Sequence, residues 1–214
     1  MNKIHIIVFV ILLFFFSTIL VIAKANELSL VGKVFIIDPG HGGKDAGTHY
    51  KEIYEKDINL AISLKLKKSL LDAGATVYIT RDGDYDLSSP DVNRRKKSDF
   101  DNRIDYINKS GADLYFSIHI NYLDDSRYSG AQVFYIGDAK LANEVQKSFN
   151  DNLNSTREAK TMSNNYYMYK KLTVPGILIE CGFLSNPQER EYLINEKYQE
   201  KLVDAIVEGL YNYY

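Results

Sequence analysis

The sequence predicts an α/β fold: a single domain with a twisted, largely parallel central sheet flanked by helices on both faces. Three observations carry that expectation. Short apolar runs rich in β-branched and aromatic residues, such as Val34-Phe-Ile-Ile37 and Gly176-Ile-Leu-Ile179, alternate with longer stretches whose apolar residues recur at helical spacing. The first run empties into a Gly/Pro-rich turn, at the carboxyl end of a strand, where α/β proteins gather their chemistry. The length, 214 residues, is that of one domain preceded by an N-terminal segment of another kind.

That segment comes first. Ile6 to Ile22 is apolar apart from Ser17 and Thr18, with Lys3 before it and Ala23-Lys24-Ala25 after it. A basic start, an apolar stretch and an Ala-x-Ala end fit a secretory signal peptide cut after Ala25. The stretch is also nearly long enough to span a bilayer, so an uncleaved N-terminal membrane anchor over residues 1–25 fits equally. Both place the remainder outside the cytoplasm. Residues 26–32 read as a linker and 33–214 as the folded domain.

Within that domain, Lys33 to Ile37 reads as a buried strand and the loop to about Tyr54 is rich in Gly, Asp and His. A helix is expected from about Glu55 to Asp72. Ile58, Ala61, Ile62, Leu64, Leu66, Leu70 and Leu71 give it a broad apolar face, and Gly74 stops it. Thr76 to Thr80 is a second strand. Asp82 to Asp101 is polar and turn-rich, a surface excursion beside the site. Phe100 to Lys109 forms a helix and Asp113 to Ile118 a strand that leads into His119. Gly130 to Ile136 is a strand and Asp138 to Leu153 a helix with Leu141, Val145, Phe149 and Leu153 on one face. Asn154 to Lys171 shows no clear pattern. The strand Gly176 to Glu180 and a helix near Lys197 to Tyr213 complete the chain, without internal repeats.

Composition excludes some classes of function. A net charge of −2 gives no electrostatic case for nucleic acid. The run Arg94-Arg95-Lys96-Lys97 reads as a solvated helix start, the alternative being contact with an anionic wall polymer or partner. A single cysteine, Cys181, rules out an intramolecular disulfide and reads as a small buried thiol.

Histidines are few: His5, His41, His49 and His119. His5 falls in the N-terminal segment, whereas His41 and His119 each follow a buried strand. Two imidazoles at one sheet edge suit zinc, which takes nitrogen and carboxylate ligands and in catalytic sites keeps a position open. The glycines around His41 would leave room for metal and substrate to approach the backbone. The third ligand should be a carboxylate. Glu55 opens the first helix, and Asp38, Asp45, Glu52 and Asp57 compete with it; an acid at a helix N-terminus is also favourable for its own sake. Glu180, at the end of an apolar strand, is costly to bury unpaired. It must meet a cation, a metal or donors: a core arginine in a structural role, or a water whose proton it takes as general base.

The segments Asp38-Pro-Gly-His-Gly-Gly, Tyr54-Glu-Lys-Asp, Thr80-Arg-Asp, Ser117-Ile-His-Ile-Asn121 and Glu180-Cys-Gly-Phe-Leu-Ser-Asn-Pro187 occur in an order that is highly specific. On them, from Lys33 to Tyr214, the chain resembles the zinc-dependent N-acetylmuramoyl-L-alanine amidases of the amidase 3 class. The resemblance implies zinc held by His41, Glu55 and His119, with Glu180 as the catalytic acid/base. Asn121 falls within one of these segments, and Arg103 and Asn108 match an arginine and an asparagine that the family carries before its third strand; these three are candidates for substrate contact or for support of the ligands. Ile107 stands where many members have alanine.

The catalytic domain behind an apolar segment, and the polar stretch leading into Arg103, resemble most the spore-cortex, germination-specific branch of that family. The expected activity is cleavage of the amide between N-acetylmuramic acid and L-alanine in peptidoglycan, removing stems so that muramic-δ-lactam can form in cortex. The expected place is the forespore intermembrane space or cortex, with membrane attachment or an accessory protein bringing the enzyme to its substrate. Two other readings stand beside it: a zinc peptidase acting on stem peptides, and a non-catalytic wall-binding regulator.

Overall fold

The computed structural model describes residues 30–163 and 166–214, with His5, Phe9, Ile11, Leu12 and Phe14 of the N-terminal segment. The expected signal or anchor lies almost wholly outside the described residues; among those that are described, no helix is long and apolar enough to cross a membrane.

Six strands form one sheet. In chain order they are β1 (Val34–Pro39), β4 (Thr76–Ile79), β5 (Leu114–Asn121), β6 (Gln132–Tyr135), β7 (Lys160–Thr161) and β8 (Gly176–Phe183); a two-stranded hairpin, β2 (His49–Tyr50) and β3 (Ile53–Tyr54), stands apart. The sheet order is β4-β1-β5-β8-β6-β7. β4, β1, β5 and β8 run parallel, and β6 is antiparallel to β8. The largely parallel sheet is therefore present, with a reversed edge.

The helices are α1 (Glu55–Asp72), α2 (Arg95–Lys109), α3 (Lys140–Leu153), α4 (Pro187–Leu193) and α5 (Glu196–Tyr213). Strand alternation divides the core in two. Phe35, Ile37, Phe116, Ile118, Ile177 and Ile179 point to one face, where α1, α3 and α5 pack. Ile36, Tyr115 and Leu178 point to the other, covered by α2 and by Met162, Met168 and Tyr169. Parallel strands buried on both faces read as continuous apolar runs for this reason.

Several expectations are corrected. The buried stripe of α1 is Ile58, Ile62, Leu66 and Leu70, while Leu64 and Leu71 are exposed; the helix packs on one side only, so the stripe narrows to the 3.6-residue period. Gly74 has φ 88°, the left-handed position that ends a helix. α2 begins at Arg95 rather than Phe100, within the basic run that reads as a helix start, and three of its cations are paired: Arg95 with Asp86, Lys96 with Asp45 at 3.5 Å, and Lys97 with Asp101 at 2.5 Å.

β5 and β8 run beyond His119 and Glu180, since their pairing resumes at Asn121 and Phe183 after an irregularity. The helix α4 went unnoticed in the sequence, although Asn186 caps it by accepting from the Gln188 and Glu189 amides and Pro187 opens it, a standard helix start.

Candidate active site

The site forms where β1 and β5 meet the start of α1. β1 ends at Pro39, and His41 follows with φ 62°, a conformation uncommon for a residue with a side chain. Two buried arginines hold this turn by its carbonyls. Arg103 donates from Nη1 to Pro39 O (2.9 Å) and from Nη2 to His41 O (2.7 Å). Arg81 donates to Pro39 O, Gly40 O and Lys56 O at 3.0, 2.9 and 2.8 Å. Burial, with repulsion from Arg103, draws the Arg81 guanidinium down to about 10.

The glycines serve a different purpose from the one the sequence suggests. A Cβ on Gly40 would strike the His119 ring, and one on Gly42 the Tyr85 carbonyl and the Arg81 side chain. The space they leave is filled by the second imidazole and by the arginine that braces the loop.

His41, Glu55 and His119 converge, one potential ligand atom from each lying within 4.8 Å of the others. Glu55 Oε1 is 3.2 Å from His41 Nε2 and 3.1 Å from His119 Nδ1. Ligands about 2.0–2.1 Å from a tetrahedral zinc ion stand roughly 3.3 Å apart, and both separations from Glu55 fit that ion. Of the competing acids, Asp45 lies against the other nitrogen of His41, Nδ1, at 3.1 Å, and Asp38 is buried beneath the loop. Glu55 is itself held: Oε2 accepts the Thr48 amide (2.8 Å), and Oε1 the Ile120 amide (3.1 Å) and the Asn59 side chain (3.3 Å).

Charge supports the same assignment. Burial opposes a charged imidazole at His41, yet contacts with Asp45 and Glu55 outweigh it and lift the ring to about 9. Burial would raise Glu55, but the two histidines hold it well below the usual carboxylate range. The cluster thus asks for positive charge between its three side chains, which a divalent cation supplies.

His119 Nε2 lies 3.2 Å from the Tyr169 hydroxyl, which is 3.0 Å from Ser117 Oγ. Ser117 donates to Asp38 Oδ2 at 3.3 Å, Thr80 to Asp38 Oδ1 at 2.6 Å, and Arg103 Nη1 to Asp38 Oδ1 at 2.7 Å. Arg103 also meets Asp99 at 3.0 Å. Sequence reasoning missed Tyr169, Asn59 and Asp99. Asn59 alone left a signal, as a polar residue on the apolar stripe of α1, four positions after Glu55.

Glu180 stands beside His119 in the paired strand. Its Oε2 is buried without a hydrogen-bond partner among the described residues, and burial lifts its carboxyl to about 7 despite the pull of His119. The core arginine goes to Asp38 and Asp99 instead. Cys181, next along, is buried and burial pushes its thiol up, so it is packing.

Arg103 supports the His41 loop. Asn121 Oδ1 accepts the Tyr122 amide at 2.8 Å, turning its side chain into its own loop. Asn108 is not brought to the site: it donates to Lys171 O at 3.0 Å and accepts from the Thr173 amide at 2.8 Å, because its place near the end of α2 faces the segment before β8.

A His–Glu–His cluster beside an unpaired glutamate, at one edge of a parallel α/β sheet, has the make-up of a mononuclear metallohydrolase. The chain belongs to the N-acetylmuramoyl-L-alanine amidase family, amidase 3, whose model matches residues 35–212. It is 40% identical over 199 residues to the germination-specific N-acetylmuramoyl-L-alanine amidase of Bacillus subtilis, covering 89% of this chain and 84% of that protein. It resembles the CwlD amidase from Clostridioides difficile, solved in complex with the GerS lipoprotein, at a TM-score of 0.80 and 38% identity over 85% of this chain and 98% of that one. A second N-acetylmuramoyl-L-alanine amidase, from Clostridium difficile 630, matches with a TM-score of 0.74 and 34% identity over 85% and 96% of the two chains.

Proposed function

We propose that this amidase is zinc-dependent and cuts the bond between the lactyl group of N-acetylmuramic acid and L-alanine, acting on spore cortex outside the cytoplasm. The observation that carries the reaction is the pairing of a converged His41–Glu55–His119 cluster with Glu180, one strand away from His119 and half-buried, its Oε2 without a hydrogen-bond partner among the described residues. Zinc held there would supply Lewis acidity to the scissile carbonyl and to the attacking water.

The side chains do the rest. Glu180 takes a proton from water and returns it to the departing L-alanine nitrogen; burial raises its carboxyl above the usual carboxylate range, the direction that favours a group serving first as base and then as acid. Asp45 and Tyr169 orient the two imidazoles, and Arg81 and Arg103 fix the loop. The name of the Bacillus subtilis relative supports the cortex role, and the CwlD–GerS complex supports an accessory protein for this chain too. The apolar N-terminal segment, as signal peptide or anchor, supports export.

Product analysis on cortex peptidoglycan, with and without chelator, tests the reading. New L-alanine amino ends on otherwise intact stems, lost with chelator, are expected; cuts inside the stem would instead identify a peptidase. Glu180→Ala should keep zinc while losing roughly 10²–10⁴-fold in turnover, and His119→Ala should lose both. Near-full turnover in Glu180→Ala would overturn the acid/base assignment.

A further inference from the structure

A cavity of about 250 Å³ opens from Glu180 and His119 toward α2 and residues 166–169. That is a little below the roughly 300–1,000 Å³ of pockets for drug-sized ligands, room for one ring. Its walls away from the cluster are apolar and aromatic: Phe100, Tyr166, Tyr167, Met168 and Leu178.

Tyr167 is a fixed side wall, stacked on Phe100 with centroids 6.4 Å apart, its hydroxyl donating to Asp101 at 2.7 Å and accepting from Lys171 at 2.7 Å. Tyr166 is different. It is 53% exposed and stands edge-on to Tyr169, centroids 6.2 Å apart at 66°. Tyr169 in turn bonds His119. An open aromatic face is thus held two side chains away from the metal cluster.

Charge decides which part of the substrate enters. Beyond the first residue the stem peptide carries carboxylates, which seek cations. Of the cavity's charged walls, Arg103 is committed to Asp38, Asp99 and two carbonyls, and Asp38 and Glu180 repel anions. Lys44, Arg95 and Lys96 line a neighbouring cleft, and Lys96 over Phe100 with Lys97 and Lys171 over Tyr167 stand at the rim, so stem carboxylates find their cations outside the cavity. A pyranose ring, by contrast, presents an apolar C–H face to an aromatic side chain and its polar groups at the edge.

We infer that this cavity is the glycan subsite, in which the N-acetylmuramic acid ring stacks on Tyr166. The inference rests on the amidase reading and makes Tyr166 a determinant of specificity for sugar over stem.

Binding separates the two ideas. Zinc-loaded protein carrying Glu180→Gln would be titrated calorimetrically with N-acetylmuramoyl-L-alanyl-D-isoglutamine and with its sugar-free counterpart, lactoyl-L-alanyl-D-isoglutamine. The sugar-bearing ligand should bind at least about tenfold more tightly. Adding Tyr166→Ala should erase most of that difference, and Tyr166→Phe should retain it. Equal affinity for the two ligands, no binding of either, or a preference that survives Tyr166→Ala would overturn the subsite. Wild-type protein that still released L-alanine amino ends from peptidoglycan would then show that the subsite alone had failed.

Discussion

Glu180 is the residue whose surroundings serve it worst. A carboxylate oxygen buried without a donor is destabilising, and burial accordingly lifts the carboxyl from an ordinary value near 4.3 to about 7. Because the folded group holds its proton more tightly than the unfolded one, stability falls as pH rises from about 4.3 to about 7 and stays low above it. Glu180→Gln removes the charge. In chelator-treated protein the substitution should raise stability by about 1–3 kcal/mol at pH 8, the gain shrinking as pH falls through 7 and vanishing near pH 4. Urea denaturation at both pH values checks it; a destabilised variant at pH 8 would mean that Glu180 has a partner after all. Such a trade of stability for reactivity is common at active sites. The sequence showed that Glu180 needed a partner but could not choose between a core arginine and a water; the fold commits the buried Arg103 to Asp38 and Asp99.

Among elements, the segment between α3 and β8 has the largest influence for the least sequence signal. Its short strand and single turn (Tyr169–Lys171) have no apolar period, yet it covers one face of the sheet and delivers Tyr169 to His119. Tyr169→Phe keeps the ring's packing and removes the hydroxyl that orients His119. It should weaken zinc affinity by about 10–100-fold, as loss of an outer hydrogen bond to a ligand typically does, with the thermal midpoint of the metal-free protein little changed. Competition with a chromogenic chelator would measure it; unchanged affinity would reduce Tyr169 to packing. The regular elements were legible because each carries its own period: the runs of β1, β5 and β8, and the stripes of α1, α3 and α5. Site residues that arrive from irregular backbone carry no such period. Tyr169 and the placement of Asp45 against His41 Nδ1 emerge only in three dimensions, and the length of β5 beyond His119 depends on its partner strand.

At the scale of the whole molecule, Asp38 joins β1 to α2 through Arg103, to β5 through Ser117 and to the end of β4 through Thr80. Burial alone would raise its carboxyl, but Arg103 and Thr80 bring it below the usual range. The sign is therefore the reverse of that at Glu180: its contribution is fully present above about pH 4 and is lost as pH falls toward the depressed folded value. Asp38→Asn should cost about 3–5 kcal/mol near neutrality by leaving Arg103 short of a partner, and should flatten the fall in stability below pH 4. Urea midpoints between pH 3 and 7 read both effects, and an unchanged acid limb would remove Asp38 from the account. The register of the sheet has a consequence of another kind. His119 and Glu180 are opposite partners in adjacent strands, and strands keep a spacing of about 4.8 Å whatever sequence they carry. The interval between ligand and base is thus ruled by backbone pairing, leaving the rim loops free to diverge. Descendants of such a scaffold can change which polymer they meet at the surface without recalibrating the reactive pair beneath.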